Sequence, residues 1–155
     1  MKPIYGEFEC KLDSKGRFLL PSGLKRQLPQ NEQEDFVINR GIDACLVLFP
    51  ITVWERELAK IHGKNQYIAR NRAFARKFQN GAAPVGLDGN SRINIPKRLM
   101  EYAGLEKEII LVASFDRVEI WDRKSYETWL EDDRFDMETL SEEVMGDGGA
   151  EESIP

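Results

Sequence analysis

The sequence has few of the residues from which metal centres and disulfide frameworks are built. It contains two cysteines, Cys10 and Cys45, which lie 35 positions apart, and a single histidine, His62. A structural zinc site takes closely spaced pairs of Cys or His, and a disulfide-rich domain takes several cysteines at regular spacing. We therefore predict no metal site and no cofactor. Both cysteines are expected to be small apolar residues of strands, and His62 a solvated residue at a helix end.

Long apolar segments and catalytic signatures are also missing. No run approaches the roughly 18 apolar residues that a transmembrane helix needs, and the residues after Met1 form no apolar signal core. The sequence has neither a Gly-x-x-x-x-Gly-Lys phosphate loop nor a Gly-x-Ser-x-Gly nucleophile elbow. These absences predict a soluble cytoplasmic protein with no membrane partner, and they make an enzyme the weakest hypothesis.

Charge is distributed unevenly along the chain. The formal net charge is −5, but residues 131–155 contain ten acidic residues and one arginine. Residues 1–130 contain 21 Lys or Arg and 17 Asp or Glu, so this part carries +4 and is compatible with a polyanionic partner. The acidic end has too little apolar surface to offset its ordering entropy. We expect a disordered acidic tail there, with one short helix near Met137–Val144.

The most informative feature present is an internal repeat. Six residues recur 75 positions later, so that Gly6, Leu12, Asp13, Arg17, Pro21 and Leu24 correspond to Gly81, Leu87, Asp88, Arg92, Pro96 and Leu99. Four more positions pair at an offset of 72 with residues of similar type, so that Leu48, Phe49, Trp54 and Leu58 correspond to Ile120, Trp121, Tyr126 and Leu130. The chain therefore contains two copies of one unit, which differ by three residues in a loop.

Each copy begins with a predicted β-hairpin. In copy one, apolar and charged residues alternate over Phe8–Leu12, which is typical of a half-buried strand. Residues 13–16 then form a turn, in which the Asp13 side chain can accept hydrogen bonds from the amides ahead of it and Gly16 can adopt a positive φ. The chain returns as a second strand over Arg17–Leu20.

A helix and two further strands complete each copy. Pro21 and Pro96 suit the first position of a helix, where the missing amide hydrogen has no cost, and Gly104 is placed to end the second helix. The later strands are predicted at Phe36–Asn39, Cys45–Phe49, Ile109–Ala113 and Val118–Trp121. Each unit is thus strand, strand, helix, strand, strand, and the fold class is α+β.

Two helices are predicted between the copies. Thr52 and Glu55 form a capping box for a helix that Gly63 ends. A second helix over residues 66–79 carries one aromatic stripe, made of Tyr67, Phe74 and Phe78, and cations around the rest. The expected domains are a first unit at 5–52, connecting helices at 53–80, a second unit at 81–124, and a short helix with the acidic tail at 125–155.

The turn of the form Asp-x-x-x-Arg permits more than one interpretation. Its Asp and Arg can simply pair with each other, which stabilises an exposed turn only slightly. Asp13 and Asp88 could also form an acid/base pair, although turn chemistry explains both residues better. The third interpretation is a surface for a negatively charged partner, because further cations lie close by in the sequence. These cations are Lys15, Lys25, Arg26, Lys97 and Arg98.

The cations that follow each proline are informative about a partner. Positive charge in the first turn of a helix is opposed by the helix dipole, at a cost of roughly 0.3–1 kcal/mol. A bound phosphate reverses this effect, because the helix N-terminus and the cations both attract it. The pattern therefore favours an anionic partner, with ordinary exposed cations as the alternative.

These motifs resemble those of the bacterial MraZ family. The resemblance covers roughly residues 1–130 and rests on Asp13-Ser14-Lys15-Gly16-Arg17 with Pro21, Asp88-Gly89-Asn90-Ser91-Arg92 with Pro96, and Leu46-Val47-Leu48-Phe49-Pro50 with Trp54. It implies two tandem swapped-hairpin SpoVT/AbrB-like units that form a pseudo-twofold, barrel-like β core flanked by helices. It also implies ring-shaped homo-oligomers that associate with the nucleoid and bind short direct repeats in the promoter of the family's own division and cell-wall gene cluster.

The resemblance assigns roles to particular residues. The motif's aspartate falls on Asp13 and Asp88 and its arginine on Arg17 and Arg92. Copy two departs from the pattern, because Asn90 stands where copy one has Lys15 and Ser91 replaces the turn glycine. We therefore expect copy one to be the main reader of double-stranded DNA, with Arg17 on a base edge and Lys15, Lys25 and Arg26 on phosphates. Arg92, Lys97 and Arg98 form the weaker second set.

The resulting hypothesis is a sequence-specific transcriptional regulator, acting as a repressor, and not an enzyme. The alternative is an oligomeric scaffold for protein interactions, in which the basic helix at 66–79 docks an acidic partner. The acidic tail could also occupy the basic turns within the oligomer. Deletion of residues 132–155 would then tighten DNA binding.

Overall fold

Both copies show the order strand, strand, helix, strand, strand that the sequence predicts. The structure is a computed structural model that describes residues 1–146. Copy one comprises β1 (Glu7–Lys11), β2 (Arg17–Leu19), α1 (Ser22–Lys25), β3 (Asp35–Arg40) and β4 (Leu46–Pro50). The helices α2 (Ile51–His62) and α3 (Ala69–Phe78) follow. Copy two comprises β5 (Ala83–Gly86), β6 (Arg92–Asn94), α4 (Lys97–Ala103), β7 (Glu108–Ser114) and β8 (Arg117–Asp122), and after it come α5 (Arg123–Leu130) and α6 (Met137–Met145).

The predicted β-hairpins are wrong, because β1 and β2 pair with different strands of the other copy. A hydrogen bond of 2.9 Å from the Asp13 amide to the Arg17 carbonyl closes the turn, and beyond it the two strands take different partners. β1 pairs antiparallel with β7 of copy two, whereas its counterpart β5 pairs with β3 of copy one. β2 pairs with β6, so that Phe18 lies opposite Ile93. Each copy therefore completes its sheet with strands of the other.

The main sheet has six antiparallel strands in the order β1-β7-β8-β4-β3-β5. This order is symmetric about the β8–β4 pair, since each strand of one copy mirrors its counterpart in the other. β2 and β6 form a separate two-stranded sheet. Within residues 1–146 the expected barrel-like closure is not observed, because the main sheet is open and ends at β1 and β5.

The larger apolar core lies between the main sheet and the β2–β6 pair. Alternate residues of the central strands, such as Ile38, face this core and are fully buried. Phe18 and Ile93 enter it from the opposite layer, as the register of β2 and β6 requires. Leu24 of α1 and Leu99 of α4 complete it. The core therefore draws on both copies, which explains why the two form one compact unit over Met1–Arg123.

A smaller cluster lies on the other face of the main sheet. There α2 packs Val53 and Trp54 against Val37, Val47 and Phe49 of β3 and β4. β4 is consequently buried on both faces along its whole length. The main sheet thus separates two layers, one with β2, β6, α1 and α4, and one with α2 and α3.

The predicted capping box of α2 is wrong. The helix begins at Ile51 after Pro50, without a side-chain cap from within the segment. The Thr52 amide instead donates to a carboxylate oxygen of Glu32, at 3.3 Å. Glu32 is buried and lies in a 3-10 turn before β3. A residue that is distant in sequence therefore satisfies the helix start, and no local pattern could have shown it.

α3 is shorter and more exposed than predicted. It begins at Ala69 rather than at residue 66. Phe78 packs on Trp54 with 5.7 Å between ring centroids, but Tyr67 is 96% exposed and Phe74 55% exposed. Only Phe78, at the C-terminal end of the predicted aromatic stripe, is therefore half-buried. Within the described residues, the longest helices are too short and too polar to cross a membrane.

Residues 124–146 belong to a second compact unit. The short helix predicted at Met137–Val144 is present as α6, and the Asp136 carboxylate caps it by accepting from the Thr139 amide at 3.1 Å. A 3-10 turn, Asp133–Phe135, precedes it where the sequence predicts disorder, because the Asp132 side chain accepts from the Arg134 amide. The remainder of the predicted tail, 147–155, lies outside the described residues.

Candidate nucleic-acid interface

The first turn is built around the carboxylate of Asp13. Its Oδ1 accepts hydrogen bonds from the amides of Lys15 and Arg17, both at 2.9 Å, and the Gly16 amide donates to the Asp13 carbonyl at 3.0 Å. Gly16 has a φ of 78°, in the left-handed region that residues with a Cβ avoid. Asp13 and Gly16 together therefore set the direction in which the chain leaves the turn.

The second turn repeats this geometry with a serine in place of the glycine. Asp88 Oδ1 accepts from the amides of Asn90 at 2.8 Å and Arg92 at 3.0 Å. Ser91 has a φ of 59° and so takes the conformation of Gly16 despite its side chain. Because left-handed backbone is unfavourable for a residue with a Cβ, the second turn holds strain that the first does not.

The two turns are joined directly across the pseudo-twofold axis. The Leu20 amide donates to the Ser91 carbonyl at 3.0 Å, and the Ile95 amide donates to the Gly16 carbonyl at 2.9 Å. These bonds are counterparts of each other at the offset of 75. The sequence treats the turns as separate hairpins, whereas the exchange of strands makes them two halves of one site.

The arginines of the motif meet at this site. Arg17 Nε donates to Asp13 Oδ2 at 2.8 Å, and within residues 1–146 its two terminal nitrogens have no hydrogen-bond partner. Arg92 lies between two carboxylates, with its Nε 3.5 Å from Asp88 Oδ2 and its Nη1 3.6 Å from Asp13 Oδ2. Arg17 is therefore held along one edge and open along the other, while Arg92 is shared between the turns.

Hydrogen bonding keeps both aspartates ionised. The Arg17 amide lowers the pKa of Asp13, and the Arg92 amide lowers the pKa of Asp88, each below the ordinary value of 3.8. In this ionised form both carboxylates act as hydrogen-bond acceptors that hold the turns and orient the arginines.

Five further cations lie in the first turn or at the helices that follow the two turns: Lys15, Lys25, Arg26, Lys97 and Arg98. None of the five forms an ion pair with another described residue. Lys97 and Arg98 occupy the first turn of α4, where the helix dipole opposes positive charge. The same argument fails for copy one, because α1 is a single turn in which Lys25 is the last residue and Arg26 the C-cap.

Comparisons with known proteins cover most of the chain. The family model described as "MraZ protein, putative antitoxin-like" matches it twice, at residues 4–77 and 78–147. A protein of Christiangramia forsetii named "Transcriptional regulator MraZ" is 44% identical over 144 residues, which are 92% of this chain and 93% of the relative. The chain belongs to the MraZ family. MraZ proteins of Flavobacterium psychrophilum, 40% identical over 94% of both chains, and of Cytophaga hutchinsonii, 38% identical over 90% of this chain and 93% of the relative, carry the same name.

In this MraZ protein a helix of copy two packs against the turn of copy one. A Cβ placed on Gly16 would lie 3.0 Å from Met100 Cε, in α4. Met100 follows Lys97 by one helical turn, so this contact brings the cationic start of α4 close to the first turn. Met100 is a residue that sequence reasoning missed, because nothing local relates it to a glycine 84 positions earlier.

Proposed function

We propose that this MraZ protein is a sequence-specific, DNA-binding regulator of transcription. The geometry of Arg17 carries the proposal, because Asp13 holds its Nε at 2.8 Å and leaves both terminal nitrogens available. A guanidinium fixed along one edge can donate two parallel hydrogen bonds to O6 and N7 of a guanine in the major groove. The name that the relatives carry, transcriptional regulator, supports the same class of function.

The other cations supply phosphate contacts in this proposal. Lys15, Lys25 and Arg26 hold the backbone on the side of copy one, and Lys97 and Arg98 hold it at the start of α4. With both arginines and both aspartates of the motif, these residues carry a net charge of +5. Phosphate contacts position a protein on the duplex and make its affinity depend on salt, whereas base contacts select the sequence.

The target in this proposal is a set of short direct repeats upstream of the division and cell-wall genes, where binding represses transcription. Each protomer offers one paired-turn site, so a ring of protomers contacts several repeats at once. Linked binding events of this kind raise the effective concentration of each further contact. Because a ring bound to repeated promoter sites stays on the chromosome, we place the protein at the nucleoid.

Fluorescence anisotropy with the purified full chain tests the proposal. Two labelled duplexes of equal composition are compared at several salt concentrations, one from the chain's own upstream region and one with its sequence shuffled. We expect tighter binding of the upstream duplex and a linear decrease of log affinity with log salt for both. Equal affinity for the two duplexes at every salt concentration would refute sequence-specific recognition.

An oligomeric scaffold without sequence-specific DNA binding is the second candidate. The exposure of α3 favours it, since that helix presents Phe74 and four cations to solvent. The scaffold predicts equal affinity for both duplexes together with saturable binding of an acidic protein segment. Catalysis is not part of either proposal. The domain division at 5–52, 53–80, 81–124 and 125–155 stays a prediction.

A further inference from the structure

The second turn, residues 88–91, carries an asparagine whose side chain has no role in the turn itself. Asn90 is exposed, and its side chain forms no hydrogen bond with another residue of the described chain. An asparagine in a turn usually accepts hydrogen bonds from the amides ahead of it or adopts a positive φ. Here Asp88 is the acceptor and Ser91 has the positive φ. Turn chemistry therefore does not account for the Asn90 side chain.

The two turns differ in charge. Residues 13–17 contain one acidic residue and two cations, a net charge of +1, whereas residues 88–92 contain one of each and are neutral. The cation of the second turn, Arg92, also lies 3.6 Å from Asp13 Oδ2 of the first turn. Attraction of phosphate depends on uncompensated positive charge. The second turn is thus a poor phosphate site, and the groups with which it can contact DNA are uncharged.

The backbone that carries Asn90 is fixed on both sides. The Asn90 amide donates to Asp88 Oδ1 at 2.8 Å, and the next residue, Ser91, accepts at its carbonyl from the Leu20 amide at 3.0 Å. Ser91 is held in the left-handed region at a φ of 59°, and strained backbone of this kind recurs where a protein contacts a ligand. A free side chain on a fixed backbone loses little conformational freedom when it binds.

The space around the second turn is open. A Cβ placed on Gly89 would have no heavy atom within 4 Å, whereas a Cβ on Gly16 of the first turn would lie 3.0 Å from Met100 Cε. The first turn is therefore covered by α4 at its glycine, and the second turn is uncovered next to Asn90. A base edge can approach the second turn without displacing a described residue there.

The two turns lie close enough together to contact one short stretch of duplex. Gly16 is level with Ile95, and Leu20 is level with Ser91, because a backbone hydrogen bond joins each pair across β2 and β6. The two levels are four residues apart, which is about 13 Å along a strand. Base pairs follow one another every 3.4 Å or so, so this separation corresponds to roughly four base-pair steps.

The carboxamide of asparagine matches the major-groove edge of one base. It presents an N–H donor beside an oxygen acceptor, and adenine presents its N7 acceptor beside its N6 donor. Guanine presents two acceptors there, so it suits a guanidinium instead. We propose that Asn90 reads an adenine in the same site in which Arg17 reads a guanine. This inference rests on the proposed function and names part of its target, a guanine with an adenine within about five base pairs.

Duplexes that contain 7-deazaadenine test the inference. This base has a carbon in place of N7, so it removes the acceptor for the Asn90 amide and retains Watson–Crick pairing. Each adenine of the upstream duplex is replaced in turn, and binding of the full chain is measured by anisotropy at matched salt. We expect replacement of the adenine that is read to weaken binding by roughly two- to tenfold, the effect of one hydrogen bond. A parallel scan with 7-deazaguanine locates the guanine that Arg17 reads.

Variants of residue 90 show whether this side chain makes the contact. Asn90→Ala should lose affinity for the unmodified duplex and show no further loss with 7-deazaadenine, since the two changes remove the same bond. Asn90→Lys, which reproduces Lys15 of the first turn, should bind shuffled duplex more tightly, with a steeper salt dependence, and should no longer distinguish the adenine. Urea unfolding should give Asn90→Ala the stability of wild type, because the side chain makes no bond within the described chain.

Asn80→Ala is the matched control. It makes the same substitution at an exposed asparagine that follows α3 and belongs to neither turn. Its response to 7-deazaadenine should equal that of wild type. Ser91→Gly, which keeps the left-handed backbone, should also retain the response.

Three results would overturn the inference. The first is that wild type responds to 7-deazaguanine but to no 7-deazaadenine. The second is that Asn90→Ala responds to the same adenine as strongly as wild type, which would assign that base to another residue. The third is a responding adenine more than about half a helical turn from the guanine. Equal affinity of wild type for upstream and shuffled duplexes would contradict the proposed function, and the inference with it, whereas the first three results leave the proposed function intact.

Discussion

Replacement of Arg17 by alanine is the sharpest test of how the paired turns act. The substitution removes the two terminal nitrogens that stand free of protein partners, together with the Nε that binds Asp13 at 2.8 Å. The backbone bonds of the turn remain, because the amides of Lys15 and residue 17 still donate to Asp13 Oδ1. We therefore expect the fold to persist and DNA recognition to be lost.

The expected magnitude follows from one bidentate contact per protomer. A good arginine–guanine pair discriminates against other bases by about 1–3 kcal/mol, which corresponds to roughly five- to 150-fold in dissociation constant. If two protomers read adjacent repeats, the loss rises to about 2–6 kcal/mol, since well-separated contacts add. Affinity for a shuffled duplex should change only through the lost charge.

The assay is anisotropy with upstream and shuffled duplexes at matched salt, and three variants serve as comparisons. Arg17→Lys keeps the charge but not the planar fork, so it should lose preference while keeping the salt slope. Lys25→Ala should weaken both duplexes alike and reduce the salt slope by about one. Arg92→Ala should affect preference less, because its guanidinium is already shared between Asp88 and Asp13. An unchanged ratio of affinities in Arg17→Ala would refute the assignment of this arginine as the base reader.

Three further predictions concern stability and reactivity. Ser91→Gly should stabilise the fold by about 1 kcal/mol, because it relieves the strain of a left-handed backbone at φ 59°. Gly16→Ala should destabilise the fold by about 1–2 kcal/mol, and urea unfolding measures both effects. Opposite signs would contradict the shared turn geometry. The pKa of Asp13 in the folded state lies below the ordinary value of 3.8, so its ionised form stabilises the fold above that pH. This stabilisation is lost as the pH falls through the folded-state pKa. Asp13→Asn should therefore have a lower melting temperature than wild type at pH 7, and the two melting temperatures should converge in strong acid. Burial raises the pKa of Cys10 to about 11 and that of Cys45 to about 12. A thiol reagent at pH 7.5 should therefore label the native chain slowly and the urea-unfolded chain at the rate of free cysteine. Fast labelling of the native chain would show that these strands open readily.

Elements that depend on short-range chemistry could be predicted from the sequence. The alternation over Phe8–Leu12 predicts β1, and left-handed Gly104 ends α4 where the apolar spacing stops. The order of elements in each copy is likewise confirmed. These predictions succeed because turn preferences and the burial of alternate side chains act over a few residues.

Predictions failed where a distant residue decides the outcome. Thr52 finds its acceptor in Glu32 and not in Glu55, because a buried carboxylate 20 positions away in sequence reaches the helix start. The stripe on α3 is only partly buried, since helical spacing shows which residues share a face but not whether anything covers that face. The length of a helix is likewise not decided by its own spacing pattern. α1 ends after one turn, although Leu24 and Leu28 have the i,i+4 spacing of a longer helix.

The sequence by itself determined that one unit occurs twice and that each unit turns on an aspartate followed four residues later by an arginine. It could not determine strand partners, because an amphipathic strand is satisfied by any partner that covers its apolar face. Tertiary structure decided that β1 pairs with β7 and β2 with β6. That exchange places Arg92 3.6 Å from Asp13, and so converts two separate motifs into one site.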